Sequence, residues 1–289
     1  MPVSPSIQHR ARVRAAFPTF VTAMAFAIVV AACGGAATSR PTIPPDATGS
    51  LIPATTATAP ASAEPSAAAD AFPVTLKDDE GTQVALAAAP RKIVSLTPAA
   101  TETLFALDVG DRIVGKVEDF TPYPAAVTAI PDVAKFGEVD VEKIVSLGAD
   151  LVIAGGNSFN PPDKIAQLRT LGVPVLVVYA PDVAAVLSDI ELIGTAVGRA
   201  PAAKDLTASM QAAFDQVEAA TADYPKPRVF YELDASQKIY TAAEDSFLAE
   251  MITLAGGAPI TTGSTTNFEI PLETLVTADP ELILLGDAA

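Results

Sequence analysis

The chain has 289 residues, of which 50% are hydrophobic, and its formal net charge is −16. This length allows one large domain or two smaller ones with proper cores. The acidic balance disfavours nucleic acid and anionic membrane surfaces as partners. The single cysteine excludes disulfides within the chain and Cys-ligated metal clusters.

The N-terminus has the features of an export signal. Arginines without acidic residues precede an apolar run over residues 17–32, which is too short to span a bilayer comfortably. Small residues then lead to Cys33 in "VVAAC", which resembles a bacterial lipobox, where the cysteine thiol is acylated. We predict a lipoprotein signal peptide over residues 1–32 and lipidation of Cys33. The alternative is an ordinary signal peptide in which this cysteine has no role.

Cleavage of the predicted signal peptide would remove His9, which is the only histidine in the sequence. A mature chain without histidine cannot hold a Ser-His-Asp triad. It also cannot form a His-ligated zinc or manganese site or ligate haem iron through histidine. We therefore expect no cofactor and no metal site formed by the protein itself.

From residue 72 onward, strand and helix patterns alternate. "FPVTLKDDEGTQVAL" predicts a hairpin, because apolar residues alternate on both sides of an Asp-Glu-Gly turn. "RKIVSL" predicts a strand, and Thr97 and Pro98 suit the N-cap and first position of a helix ending near Leu107. The strands "RIVGKV", "DLVIAG" and "PVLVVYA" then alternate with the helices "DVEKIVSLG" and 162–170. This order is typical of an α/β fold with a mostly parallel sheet.

Beyond residue 181 the chain becomes helical, and the α/β pattern then restarts. Leu206, Met210, Phe214 and Val217 form one apolar stripe of a helix between residues 201 and 222. It is followed by "RVFYEL", "DSFLAEMITLAGG", "LETLVTA" and "ELILLG", which predict a strand, two helices and a strand. The sequence thus predicts two α/β lobes with central, mostly parallel sheets, joined by one long α-helix.

An internal repeat supports the two lobes. "EKIVSLGADLVIAG", beginning at Glu142, aligns without a gap with "ETLVTADPELILLG", beginning at Glu273. Each copy predicts a helix that opens with Glu, a turn and an apolar strand. The alternative is two unrelated helix–strand units with generic patterning. The pentapeptide KIVSL also occurs twice, but its flanks predict a strand at Lys92–Leu96 and a helix at Lys143–Leu147, so it is not the repeat.

These patterns predict five segments. A signal peptide covers residues 1–32, and a disordered tether rich in Ala, Pro, Thr and Ser covers 33–70. An N-terminal α/β lobe covers 71–180. A helical segment with the long interlobe helix covers 181–224, and a C-terminal α/β lobe covers 225–289.

Two motifs have both a structural and a functional interpretation. "GDRIVGKV" approaches the phosphate-binding G-x-x-x-x-G-K-[ST], but it has Val117 where a hydroxyl is required, so Gly110 is better explained as a helix stop. Glu142 and Glu273 lie in first helical turns, where a carboxylate interacts favourably with the helix dipole. The functional interpretation places both carboxylates on one rim, facing basic residues of a partner.

Aromatic residues collect in the turns that follow predicted strands. Open parallel sheets bind ligands at this edge, and aromatic-lined clefts bind large, partly apolar molecules. The alternative is that some of these side chains pack under loops. Thr97 and Pro98, which follow the predicted strand "RKIVSL", are added to this set. The candidate ligand-binding residues are thus Thr97, Pro98, Phe120, Tyr123, Phe136, Phe159, Tyr231, Tyr240 and Phe268.

Several ordered motifs from residue 72 to the end resemble the substrate-binding proteins of ABC importers for cobalamin, ferric siderophores and haem. The motifs are "FPVTLKDDEGTQV", "PRKIVSLTPAATETLFALDVGDRIVGKVEDFTPYP", "DVEKIVSLGADLVIAG" and "IYTAAEDSFLAEMITLAGG". The resemblance implies two lobes bridged by a rigid helix, a ligand cleft between them and little hinge closure. It also implies that a glutamate on each lobe, here Glu142 and Glu273, docks onto arginines of the permease.

The sequence also departs from the family it resembles. Vitamin B12-binding members carry pocket aromatics where this chain has Phe120 and Phe136, but their second-lobe Trp falls at Asn267, beside Phe268. The resemblance therefore does not separate cobalamin from siderophores, for which Tyr231 and Tyr240 are available. Family members continue beyond the strand matching "ELILLG", so we expect the C-terminal lobe to be incomplete in this sequence.

We predict a lipid-anchored, extracytoplasmic and monomeric solute-binding protein, not an enzyme. Its expected partners are a bulky ligand (a ferric siderophore, cobalamin or haem), an ABC permease with its ATPase, and the membrane through the lipid anchor. One alternative is a lipoprotein enzyme, which predicts paired, buried carboxyl groups with raised pKa values. Another is a surface scaffold that binds proteins, which predicts a filled cleft.

Overall fold

The computed structural model describes residues 72–156 and 159–286. The predicted signal peptide, Cys33 and the whole of the predicted tether lie outside the described residues. Among the residues that are described, no helix is long and apolar enough to cross a membrane.

An antiparallel hairpin opens the described part of the chain, as the alternating pattern predicts. It consists of β1 (Val74–Lys77) and β2 (Gln83–Leu86), joined by the acidic turn. The side chain of Asp78 in this turn is fully buried and forms an ion pair with Arg169 at 2.9 Å. The hairpin is thus fixed to the main body by a charged side chain that water does not reach.

The first sheet has six strands in the order β6-β5-β4-β3-β7-β8. The strands are β3 (Ile93–Ser95), β4 (Ile113–Val117), β5 (Asp132–Lys135), β6 (Glu138–Val139), β7 (Leu151–Ala154) and β8 (Val175–Val177). All neighbours are parallel except β5 and β6. The prediction of an α/β fold with a mostly parallel sheet is therefore confirmed.

Helices cover both faces of the first sheet. They are α1 (Pro98–Ala106), α2 (Val141–Ser146), α3 (Pro162–Thr170) and α4 (Val183–Ala196). Consecutive residues of one strand point to opposite faces. Ile153 accordingly packs in one apolar cluster, with residues of α1 and α4, whereas Val152 packs in the other, with residues of α2 and α3. Because both faces are buried, β7 and β8 are continuously apolar.

A long helix follows α4. This helix, α5 (Ala200–Thr221), has 22 residues and spans about 33 Å. Leu206 and Met210 pack against the apolar cluster that contains α4. The close approach of the two helices depends on Gly194 of α4, because a side chain there would collide with Ala203 of α5.

The second sheet has three strands, with β9 (Arg228–Glu232) at its centre. The chain continues through α6 (Phe247–Leu254) to β10 (Ala258–Pro259), and then through α7 (Leu272–Ala278) to β11 (Leu282–Leu285). Both β10 and β11 pair with β9 in parallel.

The two sheets repeat one connectivity. In the first sheet the central β3 pairs in parallel with β4 on one side and with β7 on the other. In the second sheet β9 pairs in the same way with β10 and β11. In each case one neighbour of the central strand comes after the next helix in the chain, and the other neighbour comes after the helix with Glu as its second residue. The alignment of the two sequence segments thus corresponds to equivalent positions in two similar sheets.

One hydrogen bond links the second half of the chain to the first. The amide N–H of Val183, at the start of α4, donates to Oε2 of Glu250 on α6 at 2.9 Å. Asp182 caps the same helix by accepting from the amide of Ala185 at 2.7 Å. The first turn of α4 is therefore held both by its own cap and by a carboxylate from the second lobe, which favours a fixed arrangement of the two lobes.

Candidate ligand-binding site

A cavity of about 360 Å³ opens at the carboxyl ends of the strands of the first sheet. Its lining residues come from the ends of β3 and β4, the turn between β5 and β6, and the loop after β7. They are Leu96, Pro98, Val117, Glu118, Asp119, Phe120, Lys135, Phe136 and Phe159. We call this hollow the aromatic cavity. It brings together four residues that the sequence singled out, namely Pro98, Phe120, Phe136 and Phe159.

The phenylalanine side chains of the aromatic cavity are unusually exposed. Phe120 is 92% exposed, Phe136 78% and Phe159 49%. Leaving such side chains in water forgoes roughly 1.5–3 kcal/mol of burial free energy for each. Three of them around one hollow form an apolar surface that a ligand could cover.

The loop that carries Phe159 is held by buried hydrogen bonds. Asn160 is almost fully buried, and its Oδ1 accepts from the amide of Gly155 at 2.8 Å while its Nδ2 donates to the carbonyl of Leu96 at 3.4 Å. Gly156 has a φ of +72°, which favours glycine. Phe159 therefore sits on a loop tied to the ends of β3 and β7.

The turns that carry Phe120 and Phe136 are formed by local features. Asp119 accepts a hydrogen bond from the amide of Thr121 at 2.9 Å, an Asx turn that shapes the chain after β4. Phe136 lies in the tight β5–β6 turn, followed by Gly137 with a φ of +76°. Both aromatic rings are thus presented by short, conformationally restricted turns.

Thr97 lies between two residues that line the aromatic cavity, but its own side chain has a structural role. Its Oγ1 accepts from the amide of Ala100 at 3.2 Å, so it caps α1 as the sequence predicts. Its methyl group lies against Gly155, where any side chain would collide with it. Pro98 occupies the first helical position and lines the cavity. Of this pair, Pro98 is the one placed to contact a ligand.

Three charged lining residues were not identified from the sequence. Glu118 and Asp119 come directly after β4, and Lys135 ends β5, where it forms an ion pair with Glu138 at 3.2 Å. The sequence did contain a signal for the two acidic residues, because they lie between a predicted strand and Phe120. Across residues 72–156 and 159–286, no group of three His, Cys, Asp or Glu side chains is placed to hold a metal ion.

The candidate residues of the second lobe fall into two places. Tyr240 and Phe268 lie on neighbouring loops, since the amide of Thr241 donates to the carbonyl of Phe268 at 2.9 Å. Tyr231 instead lines a separate apolar hollow of about 610 Å³ on one face of the second sheet, with Met251 and Leu284. Tyr231 is therefore not grouped with the other aromatic residues.

Tyr123 and the two repeat glutamates lie outside the aromatic cavity. Tyr123 is exposed on the loop after Phe120 but does not line the cavity. Glu142 and Glu273 are exposed second residues of α2 and α7. Within the described ranges, neither glutamate side chain forms an ion pair.

One carboxyl pair has the character that an enzyme site would need, but it lies elsewhere. Burial, together with the neighbouring carboxylate of Asp79, raises the pKa of Asp189 to about 7. The pair joins the hairpin turn to α4, and neither residue lines the aromatic cavity. The amide of Tyr179 donates to Asp79 at 2.7 Å, so the pair belongs to the contacts that hold the hairpin in place.

Comparison with known proteins gives consistent matches. A family model described as "Periplasmic binding protein" matches residues 93–288. An ABC transporter substrate-binding lipoprotein of Bacillus subtilis is 33% identical over 223 residues, which cover 75% of this chain and 70% of that protein. A cobalamin-binding protein of Halobacterium salinarum is 31% identical, with 82% of this chain and 67% of that protein covered.

Solved structures show the same similarity. The periplasmic vitamin B12-binding protein of Vibrio cholerae aligns with a TM-score of 0.60 and 25% identity, covering 68% of this chain and 76% of that one. A periplasmic haem-binding protein of Roseiflexus aligns with a TM-score of 0.60 and 27% identity over the same shares. The fold is therefore shared with proteins that are named for different ligands.

Proposed function

The chain belongs to the periplasmic binding protein family, and on that premise we propose that it captures a cobalamin-type or ferric-siderophore ligand for an ABC importer. The observation that carries this proposal is the aromatic cavity with its three exposed phenylalanines. Corrin rings and metal chelates of siderophores present broad surfaces that aromatic side chains can cover. The names of the similar proteins, which include binding proteins for vitamin B12 and haem, agree with this ligand class.

The ligand is proposed to lie between the two lobes. Phe120, Phe136 and Phe159 contact it from the first lobe, with Pro98 at the rim. The loops of Tyr240 and Phe268 are proposed to contact it from the second lobe. The hydrogen bond between α4 and Glu250 supports a cleft whose two sides move little on binding. Tyr123, which is exposed on the loop after Phe120, is proposed as a peripheral contact.

The captured ligand is proposed to pass to a membrane permease driven by an ATPase. Glu142 and Glu273 are the proposed docking residues, because they occupy equivalent exposed positions on α2 and α7. Exposed carboxylates suit arginines of a partner, which bind them in a bidentate manner. The protein acts as a monomer in this proposal.

Attachment to the extracytoplasmic face of the membrane is proposed to occur through acylated Cys33. The segment from residue 33 to residue 70 would then serve as a tether of at most about 120 Å when extended. The supporting observations are the lipobox-like sequence and a relative that is itself named a lipoprotein. A gel shift or mass spectrum showing a diacylated cysteine would test this part of the proposal.

Calorimetric titration of the purified full chain tests the ligand. The probes are cyanocobalamin, a ferric hydroxamate, a ferric catecholate and haem. We expect at least one to bind with a Kd in the micromolar range or below, equivalent to about 8 kcal/mol. Phe120→Ala should weaken that binding. If none of the four binds to the folded chain, the proposed ligand class is wrong.

A further inference from the structure

The aromatic cavity has an excess of negative charge. Glu118 and Asp119 line it with two carboxylates, and the ammonium group of Lys135 is already paired with Glu138. The side chain of Lys116, near the end of β4, is buried against Asp132 and is not free to reach a ligand. Beside its apolar surface, the cavity therefore offers a ligand hydrogen-bond acceptors and negative potential.

The arginines of the described residues lie outside the aromatic cavity. Arg91, Arg112 and Arg228 stand at or just before the amino ends of β3, β4 and β9, whereas the cavity lies at the carboxyl ends. Arg169 is paired with the acidic hairpin turn, and Arg199 donates to a backbone carbonyl after α1. Within residues 72–156 and 159–286, no guanidinium lines the aromatic cavity.

The second-lobe loops near Tyr240 also carry more negative than free positive charge. The ammonium of Lys238 is bound to Glu269 at 2.6 Å. Hydrogen bonds from Ser236 hold the pKa of Asp234 below its usual range, so that this carboxyl stays ionised. The amide of Tyr240 donates to the carbonyl of Asp234, which places the charged loop beside the proposed second-lobe contact.

We propose that Glu118 and Asp119 make the site selective for chelates of zero or positive net charge. This inference rests on the proposed function and narrows its ligand class. Neutral corrinoids with amide side chains, and ferric hydroxamates with an ammonium group, supply N–H donors that carboxylates accept. An anionic ferric catecholate or the propionates of haem would bring like charges together in a partly desolvated site. Such ligands need guanidinium groups, and none of the described arginines lines the aromatic cavity.

Comparative calorimetry with the full chain tests the inference. The four probes are cyanocobalamin, which is neutral; ferrioxamine B, which is cationic; a ferric tris-catecholate, which is anionic; and haem, which carries two propionates. We expect cyanocobalamin or ferrioxamine B to bind at least about tenfold more tightly than either anionic probe, or about 1.4 kcal/mol. An anionic probe that binds as tightly as the others overturns the charge rule while leaving the proposed function intact. Absence of binding by all four overturns both.

A double substitution, Glu118→Gln with Asp119→Asn, tests whether these two residues cause the preference against anionic probes. The amide oxygen of Asn can still accept from Thr121, so the turn after β4 is kept. We expect this variant to lose most of its preference against anionic probes. Glu218→Gln, which removes a charge from the exposed side of α5, should leave the preference unchanged. An unchanged preference in the double variant assigns the selectivity to other groups and overturns the proposal.

Salt dependence of the unmodified protein gives a second measurement that needs no variant. Added salt shortens the Debye length from about 20 Å at low ionic strength to a few ångströms near about 0.5 M. We therefore expect ferrioxamine B to bind more weakly as salt rises and cyanocobalamin to change little. Binding of ferrioxamine B that is independent of salt would contradict a role for the carboxylates.

Discussion

Glu142 and Glu273 occupy the same position in two copies of one structural unit. Each is the second residue of its helix, α2 or α7, and each helix leads into a strand that pairs with the central strand of its sheet. The glutamates (142 to 273) and the starts of the following strands (151 to 282) are displaced by the same 131 residues. The unit thus presents one exposed carboxylate at an equivalent place on each lobe.

Replacing both glutamates with alanine should abolish uptake without changing ligand affinity. Both side chains are exposed and lie outside the aromatic cavity, so neither contributes to the core or to the proposed ligand contacts. Removal of two charged contacts to a permease costs several kcal/mol, which is enough to prevent docking. Transport into cells or proteoliposomes, measured beside calorimetry of the same variant, checks this expectation.

The matched control for this experiment is Glu102→Ala together with Glu218→Ala, two other exposed glutamates on helices. This pair should transport normally, which separates a docking role from a general loss of negative charge. If Glu142→Ala with Glu273→Ala instead lowers ligand affinity, the two residues belong to the binding site and the docking proposal is wrong.

Phe120→Ala should reduce ligand affinity by roughly tenfold, or about 1–2 kcal/mol, because one aromatic surface of the cavity is lost. Its stability should barely change, since the side chain is 92% exposed in the free protein. Tyr224→Ala provides a control, as that ring is also exposed but lies after α5, outside the aromatic cavity. Calorimetry and thermal unfolding of both variants distinguish the two effects. Equal affinity of Phe120→Ala and wild type would remove Phe120 from the site.

Local sequence signals were sufficient for most of the fold. The KIVSL string forms strand β3 where prolines flank it and helix α2 where Asp140 supplies an N-cap, accepting from Lys143 at 2.9 Å. The flanking residues decide between the two structures because five residues carry no preference of their own. In the same way, Pro162–Thr170 forms the predicted helix α3.

Features that depend on distant residues could not be predicted from the sequence. Strands β5 and β6 are short, and their pattern is hidden between turns. The ion pair of Asp78 with Arg169 joins residues that are far apart in the chain. The sequence placed Tyr231 at the end of a strand, but it did not show on which face of the sheet the side chain lies. Periodicity identifies elements, but long-range packing decides which side chains meet.

Thr97→Val should lower stability by about 1 kcal/mol while affecting ligand binding little. The hydroxyl group caps α1 through the amide of Ala100, and valine removes this acceptor while keeping the methyl contact with Gly155. Thr97→Ser retains the cap and should stay closer to wild type. Urea unfolding and calorimetry measure the two properties separately. A large loss of affinity with normal stability would instead make Thr97 a ligand contact.

Arg169→Ala should be among the most destabilising single substitutions in the chain, at about 3–5 kcal/mol. It leaves the carboxylate of Asp78 fully buried without its cationic partner. Arg169→Lys should recover part of the loss, since it restores a positive charge but not the planar geometry. Chemical denaturation of the three proteins tests this order. A loss below about 1 kcal/mol for the alanine variant would mean that water reaches Asp78 once the guanidinium is removed.

Asp189 should make stability fall as the pH rises from about 4 to about 7. Burial and the adjacent Asp79 raise the pKa of Asp189 to about 7 in the folded chain, above the value of about 3.9 expected in the unfolded chain. The folded state therefore binds this proton more tightly. The free energy of unfolding declines between about pH 4 and about pH 7 and levels off above that range.

Asp189→Asn removes this titration and should be more stable than wild type at about pH 8. The gain should be on the order of 1 kcal/mol, since the carboxyl is only partly buried and water screens its repulsion from Asp79. At about pH 4 the two proteins should be equally stable, because Asp189 is then protonated and can donate to Asp79 as the asparagine amide does. Asp205→Asn, on the exposed side of α5, controls for the change in net charge.

Urea unfolding of these proteins at both pH values is the measurement. A parallel decline of wild type and Asp189→Asn would place the pH dependence on other groups, because only the loss of this proton site can make the two curves diverge above about pH 5.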